Sequence, residues 1–344
     1  MRWVADRVPA HRLTSPPYDL DANWIVSYMR DLAHRDVFEI ARPGEYTGYD
    51  DLRTYRVRPG TRLLPEHVSM RRHDRLREIL KEFRTLRDQR PELAGIRLQI
   101  SLPSPLDVAI FVFSSRPWST LRHLPVFTAA AVEEVAAFSA AAGQDVAWRL
   151  EMPSALVGMA MAGRLPVGQA LAARFHTARI ADLLARMPRD TEMTLHLCYG
   201  DLGNKAMAPP RDLTPAVRYL NLLAARLHDR GLSLPPVHIP VAHGADPAPT
   251  AEPFYRPLRE LHPRWRVIAG IAAAVDPASG ARALALFEAA AGRPAYAVAT
   301  ACGLGRHTPE AADKAVEAMI AAADAVTGEA AEWDPPDPRP RRTM

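Results

Sequence analysis

Three side chains, His196, Cys198 and Cys302, are of the types that bind transition metals or act as nucleophiles. The first two lie in the segment HLCYGDLGNK, residues 196 to 205. Residues 191 to 198 alternate apolar and polar side chains as a strand does, and two glycines follow. Because strand side chains repeat every second residue, the H-x-C pair directs an imidazole and a thiol to one side of a sheet. That arrangement suits a single zinc ion.

Cys302, the second of two cysteines, follows a similar β-like run over residues 296 to 301 and begins the segment CGLGR. If both strand ends converge, one imidazole and two thiolates would leave a fourth position on zinc for water or substrate, as in catalytic sites. The alternative is that both cysteines are buried apolar residues and that His196 is an ordinary core histidine. The two glycine-rich loops beside these residues favour the metal site.

These motifs resemble a known family. HLCYGD and TACGLGR are similar to the zinc-binding strands of the cobalamin-independent methionine synthase superfamily, which shares its barrel with uroporphyrinogen decarboxylase and includes methylcobamide and epoxyalkane thiol transferases. SLPSPLDVAIF (101 to 111) resembles the family's proline-rich loop and helix, and WRLEMPSAL (148 to 156) resembles a substrate-holding strand. Over residues 95 to 325, the resemblance implies a (β/α)8 barrel and a zinc-bound thiol that attacks an alkyl carbon.

The resemblance implies roles for residues at two other strand ends. Glu151 stands where the family has acidic residues that bind the amino group of an amino-acid thiol; alternatively, its carboxylate is stabilised by a helix N-terminus. His238 lies near the position of the family's glutamate ligand and is a candidate fourth zinc ligand, or else a structural histidine.

Two loop residues complete the candidate site. Asp201, with the neighbouring Asn204, is placed to orient His196 through a hydrogen bond, or is a turn residue. Arg306 follows Cys302 in a glycine-containing loop, where its guanidinium is a candidate for binding a carboxylate or sulfonate; the alternative is an arginine that faces solvent.

Regular alternation of strands and helices from residue 95 onward predicts parallel βα units, in which the strand C-termini carry the chemistry. Strands are predicted at 96–102, 145–151, 192–198, 236–241, 265–271 and 295–302. Helices are predicted at 104–113, 128–142, 153–186 with a break near Pro166, 213–230, 252–260, 276–291 and 309–326.

The first part of the chain departs from this pattern. We predict a turn over residues 15 to 18, a helix over 21 to 34, an irregular β excursion over 37 to 63 and a surface helix over 71 to 90. The pattern reveals no first barrel strand. The fold class is therefore a TIM-barrel-like α/β protein that lacks or rearranges its first strand, unless the natural start lies upstream.

Composition limits the function further. The 344 residues fit one barrel domain, 1 to 328, followed by a proline-rich and charged tail, 329 to 344, that we predict to be disordered. A net charge of +4 gives no support for a nucleic-acid partner. No run of 18 apolar residues and no signal peptide is evident, so we expect a cytoplasmic protein with no membrane partner and with reduced thiols.

The sequence thus predicts a zinc-dependent methyl- or alkyltransferase with a small-molecule thiol and an alkyl donor as substrates. Zinc deprotonates a bound thiol, and two cysteine thiolates cancel the charge of the metal, which favours alkyl transfer over hydrolysis. The family's additional N-terminal half and glutamate ligand are not evident, which argues against a full methionine synthase. A metal-free decarboxylase of the uroporphyrinogen type and a non-catalytic, metal-stabilised binding protein are the alternatives. The thiol, the donor and the oligomeric state stay open.

Overall fold

The computed structural model describes residues 1–18, 23–48, 51–114, 116–163, 167–200, 205–242 and 246–326. Their strands are β1 (Pro17–Tyr18), β2 (Phe38–Arg42), β3 (Thr54–Val57), β4 (Leu98–Pro103), β5 (Val146–Met152), β6 (Met193–Leu197), β7 (Val237–Pro240), β8 (Val267–Ala272) and β9 (Ala297–Thr300). Their helices are α1 (Arg2–Ala5), α2 (Trp24–Leu32), α3 (Pro65–Val68), α4 (His73–Gln89), α5 (Pro105–Phe113), α6 (Pro117–Ala142), α7 (Pro153–Ala162), α8 (Gly168–Leu184), α9 (Thr214–Asp229), α10 (Glu252–Tyr255), α11 (Pro277–Ala291) and α12 (Pro309–Val326).

Seven parallel strands form one curled sheet in the order β1-β4-β5-β6-β7-β8-β9. The six strands predicted from β4 onward are confirmed, each end within two residues. The parallel α/β architecture is therefore confirmed, whereas closure into an eight-stranded barrel is not. Within the described residues β1 and β9 remain edges of a half-barrel. Two ion pairs connect the N-terminal segment with α12, Arg7 to Asp313 at 2.5 Å and Arg12 to Asp324 at 2.7 Å.

The N-terminal prediction needs one correction. Two of the residues predicted as a turn form the short strand β1, in which Pro17 and Tyr18 align in parallel with Gln99 and Ile100 of β4. A strand of two residues has no alternation from which a sequence pattern could identify it, and Pro17 itself supplies no backbone donor. The first barrel position is thus occupied, but by a much shortened strand.

A second correction concerns α6, which begins at Pro117 and not near residue 128. Pro125 lies inside the helix, although proline removes one backbone hydrogen bond and normally interrupts a helix. This proline explains why the sequence pattern predicts only the later part. In contrast, α4 agrees with the helix predicted over 71 to 90, and it buries one apolar side, formed by Leu76, Ile79, Leu80, Phe83 and Leu86.

The two faces of the sheet have different surroundings. Trp148 and Met152 of β5 point toward the helices: the Trp148 Nε1 donates to Ser139 of α6 at 3.0 Å, and Tyr219 of α9 contacts the Met152 sulfur at 3.9 Å. This outer face forms the main hydrophobic core. Since strand side chains alternate, the residues between them point to the opposite side, which we call the inner face.

The predicted β excursion is the antiparallel hairpin β2–β3, which is separate from the main sheet. Tyr55 of β3 is fully buried and donates a hydrogen bond to the backbone carbonyl of Met29 in α2. Both residues belong to a second core shared with α5 and α6, including Phe113 and Phe127. The hairpin therefore contacts both α2 and α5, the helix that follows β4.

One helical segment, Pro117–Asp145, is long and apolar enough to cross a membrane by length and composition alone. Such a finding is weak support for a membrane span. The segment also carries Glu134, which pairs with Arg72 at 2.6 Å with both side chains largely buried. That pair connects the helix to the rest of the fold.

Candidate metal centre

The register of three neighbouring strands brings polar residues into one row on the inner face. Glu151 of β5 aligns with His196 of β6, and His196 aligns with His238 of β7. The flanking residues Leu195 and Leu197 point into the core and are fully buried. Burial of these leucines fixes which face of β6 receives the histidine, because a shift of one residue would exchange the two sets.

His196, Cys198 and Cys302 come together at the ends of β6 and β9. Cys198 directly follows β6, and Cys302 lies two residues beyond β9. The three ligand atoms lie within 4.8 Å of one another, with His196 Nε2 at 3.8 Å from the Cys302 sulfur. His196 and Cys198 are buried, whereas Cys302 is partly exposed. The group is therefore accessible from the side of Cys302.

The distance between His196 Nε2 and the Cys302 sulfur and the protonation state of His196 both suit a zinc ion. A tetrahedral zinc with ordinary bond lengths places nitrogen and sulfur ligands about 3.5 Å apart and two sulfurs about 3.8 Å apart. The observed 3.8 Å between His196 Nε2 and the Cys302 sulfur is close to such an edge. Burial first, and then the positive charge of Arg149, lower the pKa of His196 well below its ordinary value. The imidazole is consequently neutral, the form that binds a metal.

His238 lies behind His196 and does not belong to this group of three ligand atoms. Its Nδ1 is 2.6 Å from the Nδ1 of His196, on the side of the ring away from the nitrogen that faces Cys302. Burial, followed by unfavourable electrostatic interactions with the His196 ring and with Arg149, lowers the pKa of His238 well below its ordinary value. The two neutral rings therefore share one hydrogen bond.

A neighbouring part of the inner face carries Arg149, which the sequence analysis did not identify. One guanidinium nitrogen donates to Glu151 at 2.7 Å and to Ser101 of β4 at 3.1 Å. Glu151, expected to bind a substrate amino group, is thus engaged by an arginine of its own strand. The i, i+2 spacing in WRLE could have indicated that the two charges share one face.

The loop candidates have different outcomes. Arg306 is partly buried in the short 3-10 turn Leu304–Arg306, directly after the Cys302 loop. That loop is held by Thr300, whose hydroxyl donates to the Cys302 carbonyl at 2.5 Å. Asp201 and Asn204 lie outside the described residues, so their predicted roles stay predictions.

A buried carboxyl that the sequence analysis also missed lies near the end of β4. Asp107 of α5 accepts a hydrogen bond from the Ser104 hydroxyl, and the backbone nitrogen of Ser154 in α7 donates to it at 2.7 Å. Burial raises the pKa of Asp107 to about 6. The signal in the sequence is S-x-x-D at the start of α5, a helix-capping pattern.

Comparisons with known proteins give little beyond this geometry. The sequence matches no family model and no curated protein. Among solved structures, the chain is similar to the B12-independent methionine synthase from Shewanella sp. W3-18-1, solved in complex with selenomethionine. The identity is 16%, the match covers 85% of this chain and 74% of that chain, and the TM-score is 0.46. A likeness of this degree carries no argument about function.

Proposed function

We propose that the protein is a zinc-dependent thiol methyl- or alkyltransferase whose substrates are a small-molecule thiol and an alkyl donor. The observation that carries the proposal is the convergence of His196 Nε2 with the sulfurs of Cys198 and Cys302 within 4.8 Å. Three protein donors leave one position of a tetrahedral ion for a substrate sulfur. We further propose a cytoplasmic protein without nucleic-acid or membrane partners.

The charges of the donor set favour a reaction at sulfur. Zinc in this site would deprotonate a substrate thiol at neutral pH and present it as a nucleophile. The thiolates of Cys198 and Cys302 would cancel the charge of the ion, so that a third sulfur remains electron-rich. Neutral His196 adds no charge, since its pKa is lowered by burial and by Arg149. Hydrolytic zinc sites, in contrast, use mostly neutral ligands that acidify water.

Residues beside the metal group have two further tasks in this proposal. Burial of His196 and Cys198 excludes bulk water from one side of the reacting sulfur, while the partly exposed Cys302 leaves access from the other. Glu151 aligns with His196 and accepts a hydrogen bond from Arg149, so it would present a carboxylate of fixed orientation next to the substrate position. Glu151 and Arg306 are the residues we propose to contact the remainder of the thiol.

The first test is the metal content of the full chain, purified without chelator and analysed by plasma mass spectrometry. We expect about one zinc per chain, as for one three-ligand site. The X-ray absorption spectrum should show two sulfurs in the first shell. A zinc content near zero, after an attempt at reconstitution with zinc, would rule out the proposed function.

The second test separates a catalytic site from a closed structural one. Small thiols with amino-acid, sulfonate or aromatic groups are added to the zinc-loaded protein. Binding of one of them should increase the number of first-shell sulfurs from two to three and release about one proton at neutral pH. The S-methyl thioether of the same compound, which has no thiol proton to lose, is the control. An unchanged sulfur count across all classes would indicate a structural metal site and contradict the transferase proposal.

A further inference from the structure

We propose that His238 is a positioning residue for the metal ligand His196, and that it is not itself a ligand. This inference rests on the proposed function, because it concerns how the chain holds its zinc ligand. Three observations support it: the contact between the two rings, the position of the outer nitrogen of His238, and the alignment of the two strands.

The contact between the rings determines where the protons lie. His196 faces Cys302 through Nε2, so this nitrogen must be unprotonated to bind a metal, and the proton of the neutral ring then resides on Nδ1. The His196 Nδ1 is 2.6 Å from the Nδ1 of His238. It therefore donates to His238 Nδ1, which accepts with its lone pair. This hydrogen bond keeps His196 in the one tautomer that leaves Nε2 available.

The second ring nitrogen of His238, Nε2, lies in a confined space on the side of the ring away from His196. His238 Nε2 is buried and has no hydrogen-bond partner of ordinary geometry among the described residues. It lies next to Gly270 of β8, where an added Cβ would be only 2.5 Å away. The glycine thus provides the space that the ring occupies. With Nδ1 bonded to His196 and Nε2 directed toward β8, neither nitrogen of His238 faces the sulfurs.

Strand alignment keeps the two histidines in this arrangement. His196 and His238 are partners in the parallel register of β6 and β7, and the ring centroids are 4.7 Å apart. Metal-binding histidines usually donate the second ring N–H to a carboxylate, a carbonyl or water, and loss of that partner costs about 10- to 100-fold in metal affinity. Here an imidazole of the neighbouring strand has that role.

Two substitutions distinguish positioning from ligation. His238→Leu removes the acceptor but keeps an apolar side chain of similar reach. His238→Asn is the matched variant, because its amide oxygen is an acceptor close to the position of the ring Nδ1. Zinc affinity of the full-length proteins is measured by competition with a chromophoric chelator, and the first shell is measured by X-ray absorption, in which imidazoles give distinct multiple-scattering features.

We expect the wild-type first shell to contain one imidazole and two sulfurs. His238→Leu should weaken zinc binding by about 10- to 100-fold with the same ligand types, and His238→Asn should restore most of the affinity. Two imidazoles in the wild-type spectrum would overturn the inference, and so would equal affinity of wild type and His238→Leu. The wild-type spectrum provides this test even if a variant fails to fold. Failure of the wild type to bind zinc would instead overturn the proposed function, so the two failures are distinguishable.

Discussion

The buried carboxyl of Asp107 connects the N-termini of two helices, and its ionisation should be measurable in the stability of the protein. Ser104 caps α5 by accepting from the Asp107 backbone nitrogen at 3.1 Å, and the Asp107 carboxyl accepts from Ser154 in α7 at 2.7 Å. The Ser104 hydroxyl also donates to the Asp107 carboxyl, and the hydrogen bonds that the carboxyl accepts from Ser104 and Ser154 favour its ionised form. Burial outweighs them and, together with the nearby negative charge of Glu151, raises the pKa from 3.8 to about 6.

The sign and size of the effect follow from this difference in pKa. The folded protein retains the Asp107 proton up to about pH 6, whereas the unfolded chain loses it near 3.8. Proton binding therefore stabilises the fold fully below the unfolded pKa, and this contribution is lost as the pH rises through the folded pKa. The complete contribution is about 3 kcal/mol at 1.36 kcal/mol per pKa unit. About 1.4 kcal/mol of it lies between pH 5 and pH 7.5.

The substitution Asp107→Asn removes the titration but retains an oxygen that accepts from the Ser154 nitrogen. Unfolding in urea, followed by the fluorescence of the buried Trp148 and Trp265, gives the free energy of unfolding at each pH. Relative to the variant, the wild type should gain about 1.4 kcal/mol on going from pH 7.5 to pH 5. Asp88→Asn, at an exposed position of α4, is the control and should follow the wild type. A constant difference between wild type and Asp107→Asn at both pH values would refute this reasoning.

Two further predictions concern the metal centre. Cys198→Ala and Cys302→Ser should each lose stoichiometric zinc, as measured by chelator competition. The free energy of unfolding of the metal-free variants, measured in urea, should stay within about 2 kcal/mol of the metal-free wild type. Full zinc retention would exclude that cysteine as a ligand. Gly270→Ala should weaken zinc binding, because the new Cβ would lie 2.5 Å from His238 Nε2 and 2.9 Å from a backbone oxygen, whereas Gly280→Ala, with no atom closer than 3.7 Å, should bind zinc like the wild type.

The sequence was sufficient for the features that depend on periodic patterns. Alternation located the strands from β4 to β9, and the H-x-C spacing correctly put His196 and Cys198 on one side of the sheet. The convergence of Cys302 with this pair could be inferred because the C-termini of parallel strands lie at one edge. Features without a period were missed or misjudged, namely the two-residue β1 and the helix that continues through Pro125.

The side-chain contacts within the inner face could not be predicted from the sequence, for a different reason. Whether His238 contacts a metal or the back of His196 depends on the register of β6 and β7 and on the ring orientation. Whether Glu151 is available to a substrate depends on the side-chain conformation of Arg149. Such choices are decided by a few ångströms of tertiary geometry, which residue types and spacing do not encode.

The same alternation that builds the site also makes the fold independent of it. Leu195 and Leu197 are fully buried on the outer face, and each contributes about 1.5–3 kcal/mol of apolar burial to the register of β6. A slip by one residue would remove both leucines from the main core and place His196 there among apolar side chains, so the leucines hold the histidine in place before any metal binds. The cost of placing His196 on a buried face is reduced by its hydrogen bond with His238. The core therefore positions the candidate ligands His196 and Cys198, which is why their removal should abolish the proposed zinc binding without unfolding the protein.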